Sequence, residues 1–133
     1  MIAVTDTHAL LWAMTGQSRK LGRKAKAIFE RAEQGRATIY VPSFSLVEIG
    51  ELVHRGRIGL PSDFPTWTRA LARSGRFVIH NLDVDVVVQT NFLLDIPERS
   101  DRIIASSAAV LECPLITRDA AVAASAGVVH LWN

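Results

Sequence analysis

The sequence predicts an α/β fold, a three-layer α/β/α sandwich with a central parallel sheet. Three observations lead there. Short apolar runs alternate along the whole chain with longer segments of helical spacing. The runs are short and mostly apolar, as strands of a sheet covered on both faces are. At 133 residues, with no internal repeat, low-complexity tract or linker, the chain makes one domain spanning 1–133. Strictly alternating strands and helices are joined by right-handed crossovers, which cover both faces of the sheet.

Residues 2–4 form the first strand, and Leu10 and Leu11 belong to the helix that follows. Asp6 stands between them. Thr15 to Ser18 break the chain. Leu21, Ala25, Ile28, Phe29 and Ala32 then recur at helical spacing, with Gly35 as the stop. The opposite face carries Arg19, Lys20, Arg23, Lys24 and Lys26, either a solvated face or a patch for phosphates. Residues 37–41 are the second strand, closed by Pro42, and residues 43–53 the next helix. Within it, Ser45 and Glu48 match a capping box. After a basic, glycine-bearing turn from His54 to Pro61, Phe64, Trp67, Leu71 and Ala72 mark a short amphipathic helix. Residues 77–79 are the third strand. Asp83 caps a helix holding Val86, Val87, Thr90, Leu93 and Leu94. Pro97 ends it. Residues 101–111 form a helix with small residues suited to close packing, 115–117 a fourth strand, and 128–131 the last. Asp119 opens the alanine-rich helix between those two strands.

Composition narrows the function. The chain is 49% hydrophobic and 21% charged, which is ordinary for a globular protein and excludes disorder. A net charge of +2 permits an anionic partner without requiring one. The single Cys113 excludes an internal disulfide and a cysteine metal cluster, and fits a reducing compartment. No apolar run is long enough for a membrane span, and no basic segment precedes the first apolar run as in a signal peptide. A cytoplasmic protein away from membranes is expected.

Asp6, Glu48, Asp101 and Asp119 each lie in or just before the first turns of a helix. Alone, each is explained by capping or by the helix dipole. Together they carry more, because every strand-to-helix junction of a parallel sheet falls on one edge, where ligands bind. Two carboxylates about 4 Å apart repel by roughly 4 kcal/mol at an effective dielectric near 20. No lysine or arginine is common to the four junctions, so a divalent cation is the natural neutraliser. Oxygen-only ligands suit magnesium, with manganese an alternative. Zinc is disfavoured, because His8, His54, His80 and His130 have no ligand spacing, and His8 reads as a local residue of the first helix. Such a site activates water against a phosphodiester.

The sequence resembles the PIN domain, in particular the ribonuclease toxins of VapBC-type toxin–antitoxin modules. The resemblance rests on Thr5-Asp6-Thr7-His8-Ala9-Leu10-Leu11-Trp12, the segment from Ser43 to Ile49 around Glu48, and the turn from Arg55 to Pro61. Asp101-Arg102-Ile103-Ile104-Ala105, Ile116-Thr117-Arg118-Asp119 and the ending from Gly127 to Trp132 complete it. It covers essentially the whole chain in order. It implies a magnesium-dependent endoribonuclease acting on RNA, usually a homodimer, inhibited by a cognate antitoxin whose C-terminal segment crosses the site. On that pattern Asp6 and Asp101 are the leading metal ligands. Glu48 and Asp119 complete the acidic cluster directly or through water, and Thr117 supports it by hydrogen bonding. One departure stands out: such toxins often carry His or Gly and then Asp-Pro ahead of the third acid, where this chain has Ile96-Pro97-Glu98-Arg99-Ser100. Glu98 is the candidate replacement for the missing acid.

Three rivals are weighed against this reading. A receiver-type signalling domain resembles this pattern only loosely, since the chain has one acid after its first strand and no lysine beyond Lys26. A haloacid-dehalogenase-type phosphatase would need a second aspartate at position 8, which is His8. A catalytically silent PIN scaffold is opposed by retention of all four acids.

Overall fold

The computed structural model describes residues 1–133. Strand β1 (Ile2–Thr5) passes into helix α1 (Thr7–Met14) across a single residue, Asp6. A 3₁₀ turn (Ser18–Lys20) and α2 (Arg23–Glu33) return the chain to β2 (Thr38–Pro42). Helices α3 (Ser43–His54) and α4 (Phe64–Arg73) lead to β3 (Phe77–His80). Helices α5 (Val84–Thr90) and α6 (Arg99–Val110) lead to β4 (Leu115–Ile116), and α7 (Ala120–Ala123) to β5 (His130–Leu131).

All neighbouring strands pair in parallel, in the order β3-β2-β1-β4-β5. The chain therefore starts in the centre, builds outward through β2 and β3, then crosses back to lay β4 on the other side of β1. That reversal opens a crevice at the carboxyl ends of β1 and β4, where α/β sheets bind ligands. The strand ends set which residues reach it.

Successive residues of β1 feed opposite faces. Ala3 joins a core of 17 buried side chains with Leu10, Ile28, Ile39, Ile49 and Phe77. Val4 joins a second core of 8, with Leu93, Ile96, Ile104 and Leu115. Burial of both faces is the reason the strands are apolar without alternation. The amphipathic α2 buries Ala25, Ile28, Phe29 and Ala32, the set that its spacing predicts. Gly35, at φ 72°, ends the segment in the left-handed region. At the other end the Trp132 carbonyl accepts from the Ala25 amide at 3.0 Å, so the C-terminal segment caps α2. A Cβ on Gly22 would collide with that carbonyl, which is why glycine stands there.

Several expectations need correction. Strand β2 begins at Thr38 rather than Ala37, and Pro42, which closes it, is its last residue, in register with His80. Helix α3 starts at Ser43, so Ser45 and Glu48 lie inside it and form no capping box. The Ser45 hydroxyl is buried without a partner. Helix α5 ends at Thr90, and Leu93 and Ile96 are buried from the turns beyond it. Helix α6 starts at Arg99, two residues earlier than expected, and β5 keeps only His130 and Leu131.

Candidate active site

Asp6 is placed by the sheet. Its amide donates to the Ile116 carbonyl at 3.1 Å, extending the β1–β4 pairing up to the acid. One carboxylate oxygen accepts from the Ala9 amide at 2.8 Å and caps α1. Asp119 caps α7 in the same way, accepting from the Val122 amide at 3.0 Å. The buried Thr117 links the two: its hydroxyl accepts from the Asp119 amide at 3.1 Å and lies near enough to the Asp6 carboxylate to favour its charged form. Asp101 sits in the first turn of α6 and makes no capping bond. Capping thus accounts for Asp6 and Asp119 in part and for Asp101 not at all.

Glu48 takes a different route to the same edge. From the middle of α3 its carboxylate accepts the Thr7 hydroxyl at 2.6 Å, which ties α3 to the first residue of α1 beside Asp6. The partner that a capping box would have supplied within the helix comes from 41 residues away.

Asp6, Asp101 and Asp119 line a cavity of about 270 Å³. That is roughly nine waters by liquid volume, enough for a hydrated ion. Glu48 stands outside the lining, though its charge reaches Asp101. The Asp101 carboxyl is pushed up to about 6, chiefly by burial and then by the charges of Asp119, Glu98, Glu48 and Asp6. Asp6 is also raised, chiefly by burial, against the opposing pull of the Ala9 amide, the Thr117 hydroxyl and His8. None of the four acids has a cationic partner, since the ion pairs within 4 Å are Glu51–Arg55 and Glu33–Arg76.

This donor set fits a hard cation. No three of the acids are drawn together as a closed ligand cage. One or two carboxylates facing a wet cavity is the manner in which magnesium is held, with waters completing its octahedron. Asp6 and Asp101 would hold it, with Asp119 and Glu48 acting directly or through water. Glu98, the N-cap residue of α6, is exposed and adds its charge to Asp101 without lining the cavity.

The remaining wall of the cavity is made by residues outside the four acids: His8, Trp12, Arg118 and Trp132. The Arg118 guanidinium lies 4.6 Å from the Trp12 ring centroid, and Trp132 meets Trp12 edge-on at 6.2 Å. A sequence signal existed for part of this wall. His8 and Trp12 are one helical turn apart on the element that Asp6 caps, and Arg118 is flanked by Thr117 and Asp119. Trp132 had no local signal, because only the β4–β5 pairing brings it near. A separate hollow of about 200 Å³ beside Met14, Phe29 and Phe77 contains none of the acids.

The family profile of the PIN domain matches residues 3–127, and the chain belongs to the PIN-domain family. Two solved structures share the fold. One is VapBC2 from Rickettsia felis bound to a DNA fragment from its promoter: the chain is 17% identical to a chain of that complex, with a TM-score of 0.72 over 100% of both chains. The other is a toxin–antitoxin complex from Klebsiella pneumoniae, 21% identical with a TM-score of 0.63, covering 96% of this chain and 95% of that one. At these identities the likeness is one of fold. Comparison with curated proteins finds no match.

Proposed function

We propose that this protein is a magnesium-dependent endoribonuclease and the toxin of a VapBC-type toxin–antitoxin pair, with manganese able to replace magnesium. The observation that carries the nuclease reading is the uncompensated acid cluster at the switch point of the sheet. Three carboxylates line one cavity, the charge of a fourth acts on one of them, and no cation pairs with any of the four. Membership of the PIN family and the toxin–antitoxin complexes that share its fold support the toxin reading.

Bound magnesium supplies Lewis acidity toward the scissile phosphate and acidifies the water beside it. The chain's own residues do the rest. Asp6, at the junction of β1 and α1, and Asp101, in the first turn of α6, would hold the ion. The Ala9 amide fixes the Asp6 carboxylate, with the Thr117 hydroxyl favouring its charged form, so that it would be ready for a cation. Glu48, held by Thr7, and Asp119, held by the Val122 amide, would orient the attacking water. Water attack leaves a 5′-phosphate and a 3′-hydroxyl.

The partners follow from the same reading: RNA as substrate, a cognate antitoxin as inhibitor, and a second copy of the chain. Large apolar side chains stand exposed on and after α5, namely Val84, Val87, Val88, Phe92 and Leu94, and a homodimer would cover such a face. Trp67 contributes nothing to such a face, being 7% exposed within the core. No helix is long and apolar enough to cross a membrane, and we place the protein in the cytoplasm.

The test is cleavage of structured and single-stranded RNAs by the purified protein with magnesium, with chelator, and with Asp6→Asn. Asparagine keeps an acceptor for the Ala9 amide, so the variant folds. Magnesium-dependent cutting that Asp6→Asn abolishes is the expected result. Cutting that survives chelator or Asp6→Asn refutes the reading.

A further inference from the structure

The residues that line the cavity beside the acids have no role in holding a cation, yet they form a built group. Arg118 follows Thr117 and precedes Asp119, and it lines the same cavity as three carboxylates. A guanidinium so placed would ordinarily collapse onto one of them, since a bidentate pair is its strongest available contact. It makes no ion pair, and stacks over Trp12 at 4.6 Å instead. The indole is itself held in place, with Trp132 edge-on at 6.2 Å, His8 at 5.9 Å and the Lys20 ammonium 5.8 Å from the ring centroid. Arg118, His8 and Lys20 are exposed and Trp12 is half-buried. The result is an aromatic and cationic group of side chains sharing a single cavity with three carboxylates.

We infer that Trp12 and Arg118 form a subsite for a nucleotide flanking the scissile phosphate, the base stacking on the Trp12–Arg118 pair and its phosphate meeting Arg118 and Lys20. The inference rests on the nuclease reading and names the substrate contacts of that site. Unpaired bases stack on aromatic rings and on guanidinium planes alike, and cations beside them take the phosphates. The acids would repel the phosphates of an RNA strand, so its backbone is led past Arg118 and Lys20, which meet at the Trp12 ring. Stacking is open to every base, which makes this a requirement for unpaired RNA and leaves sequence choice to other contacts.

The experiment measures binding apart from cleavage. In an Asp101→Asn background with magnesium, a short single-stranded oligoribonucleotide and its abasic counterpart are titrated by anisotropy, with tryptophan emission recorded in parallel. Base-bearing RNA is expected to quench tryptophan emission and to bind more tightly than the abasic strand. Trp12→Leu should weaken binding about 5- to 100-fold and remove the base preference, while Trp12→Phe restores most of both. Arg118→Gln, at an exposed position that does not touch the core, should weaken both strands, and Arg118→Lys should restore the charge without the stacking. If Trp12→Leu melts like the parent and both strands bind it as they bind the parent, the subsite is overturned and the nuclease reading stands. If no RNA binds the parent at all, both are overturned. A base preference that depends on Trp12, beside a wild type that cuts no RNA, would remove the nuclease reading alone.

Discussion

Replacing Asp101 by Asn separates a metal ligand from a structural cap. In the folded protein the Asp101 carboxyl is pushed from 3.8 to about 6, by burial first and then by the charges of Asp119, Glu98, Glu48 and Asp6. A raised carboxyl pKa means that the folded state holds the proton more tightly than the unfolded chain. Stability therefore falls as pH rises from about 4 to about 6, and above that window the penalty of the ionised carboxylate is fully present. The rise corresponds at most to about 3 kcal/mol. Water around this half-buried group screens it to about 1–2 kcal/mol. Asparagine carries no charge and gives up no capping bond. In chelator at pH 7.5 the variant should therefore melt higher than the wild type, by about 4–8 °C for a chain of this size. At pH 4 the difference should shrink toward zero. Magnesium should then raise the wild-type Tm, by about 2.7 kcal/mol of stability at a hundredfold excess over Kd, and the variant's far less. Scanning calorimetry at the two pH values, with and without magnesium, reads all of this. A variant that melts lower than wild type at pH 7.5 would refute the reasoning, because Asp101 would then be stabilising the fold.

Two further substitutions probe neighbouring parts of the account. Ser45→Ala removes a buried hydroxyl that has no partner, so it should leave the Tm unchanged or raise stability by up to about 1 kcal/mol; a loss of about 1 kcal/mol, as from a capping serine, would contradict the structure of α3. Thr7→Val preserves shape but takes away the 2.6 Å bond to Glu48; calorimetric titration should show manganese affinity reduced about 10- to 100-fold, as when partners behind metal ligands are lost, and an unchanged affinity would place Glu48 outside the site.

Most of the architecture was legible in the sequence because both faces of the sheet are covered. Continuous apolar runs such as 2–4 and 37–41 mark strands without alternation, and the spacing of Ala25, Ile28, Phe29 and Ala32 marks a helix unaided. Legibility failed where a local rule met a tertiary partner. Ser45 and Glu48 have capping-box spacing, yet Glu48 is claimed by Thr7 across the sheet edge and Ser45 by the core. Leu93 fits the helical spacing of α5 but is buried from a turn after it, since packing against α6 decides where that segment bends. Asp6 and Asp119 were legible as acids after strands, a placement that parallel topology converts into proximity. Trp132 was not, because its position depends on β5 lying beside β4 and no residue nearby announces that pairing.

The chemistry of the RNA ends tests the central claim most directly. Fragments from magnesium-supported cleavage are mapped for a phosphate at the 5′ end and a free hydroxyl at the 3′ end. An acid cluster that holds magnesium and orients water predicts 5′-phosphate and 3′-hydroxyl ends, lost in chelator and in Asp6→Asn. A 2′,3′-cyclic phosphate would mean attack by the ribose hydroxyl, and would contradict the role assigned here to Asp6, Glu48, Asp101 and Asp119.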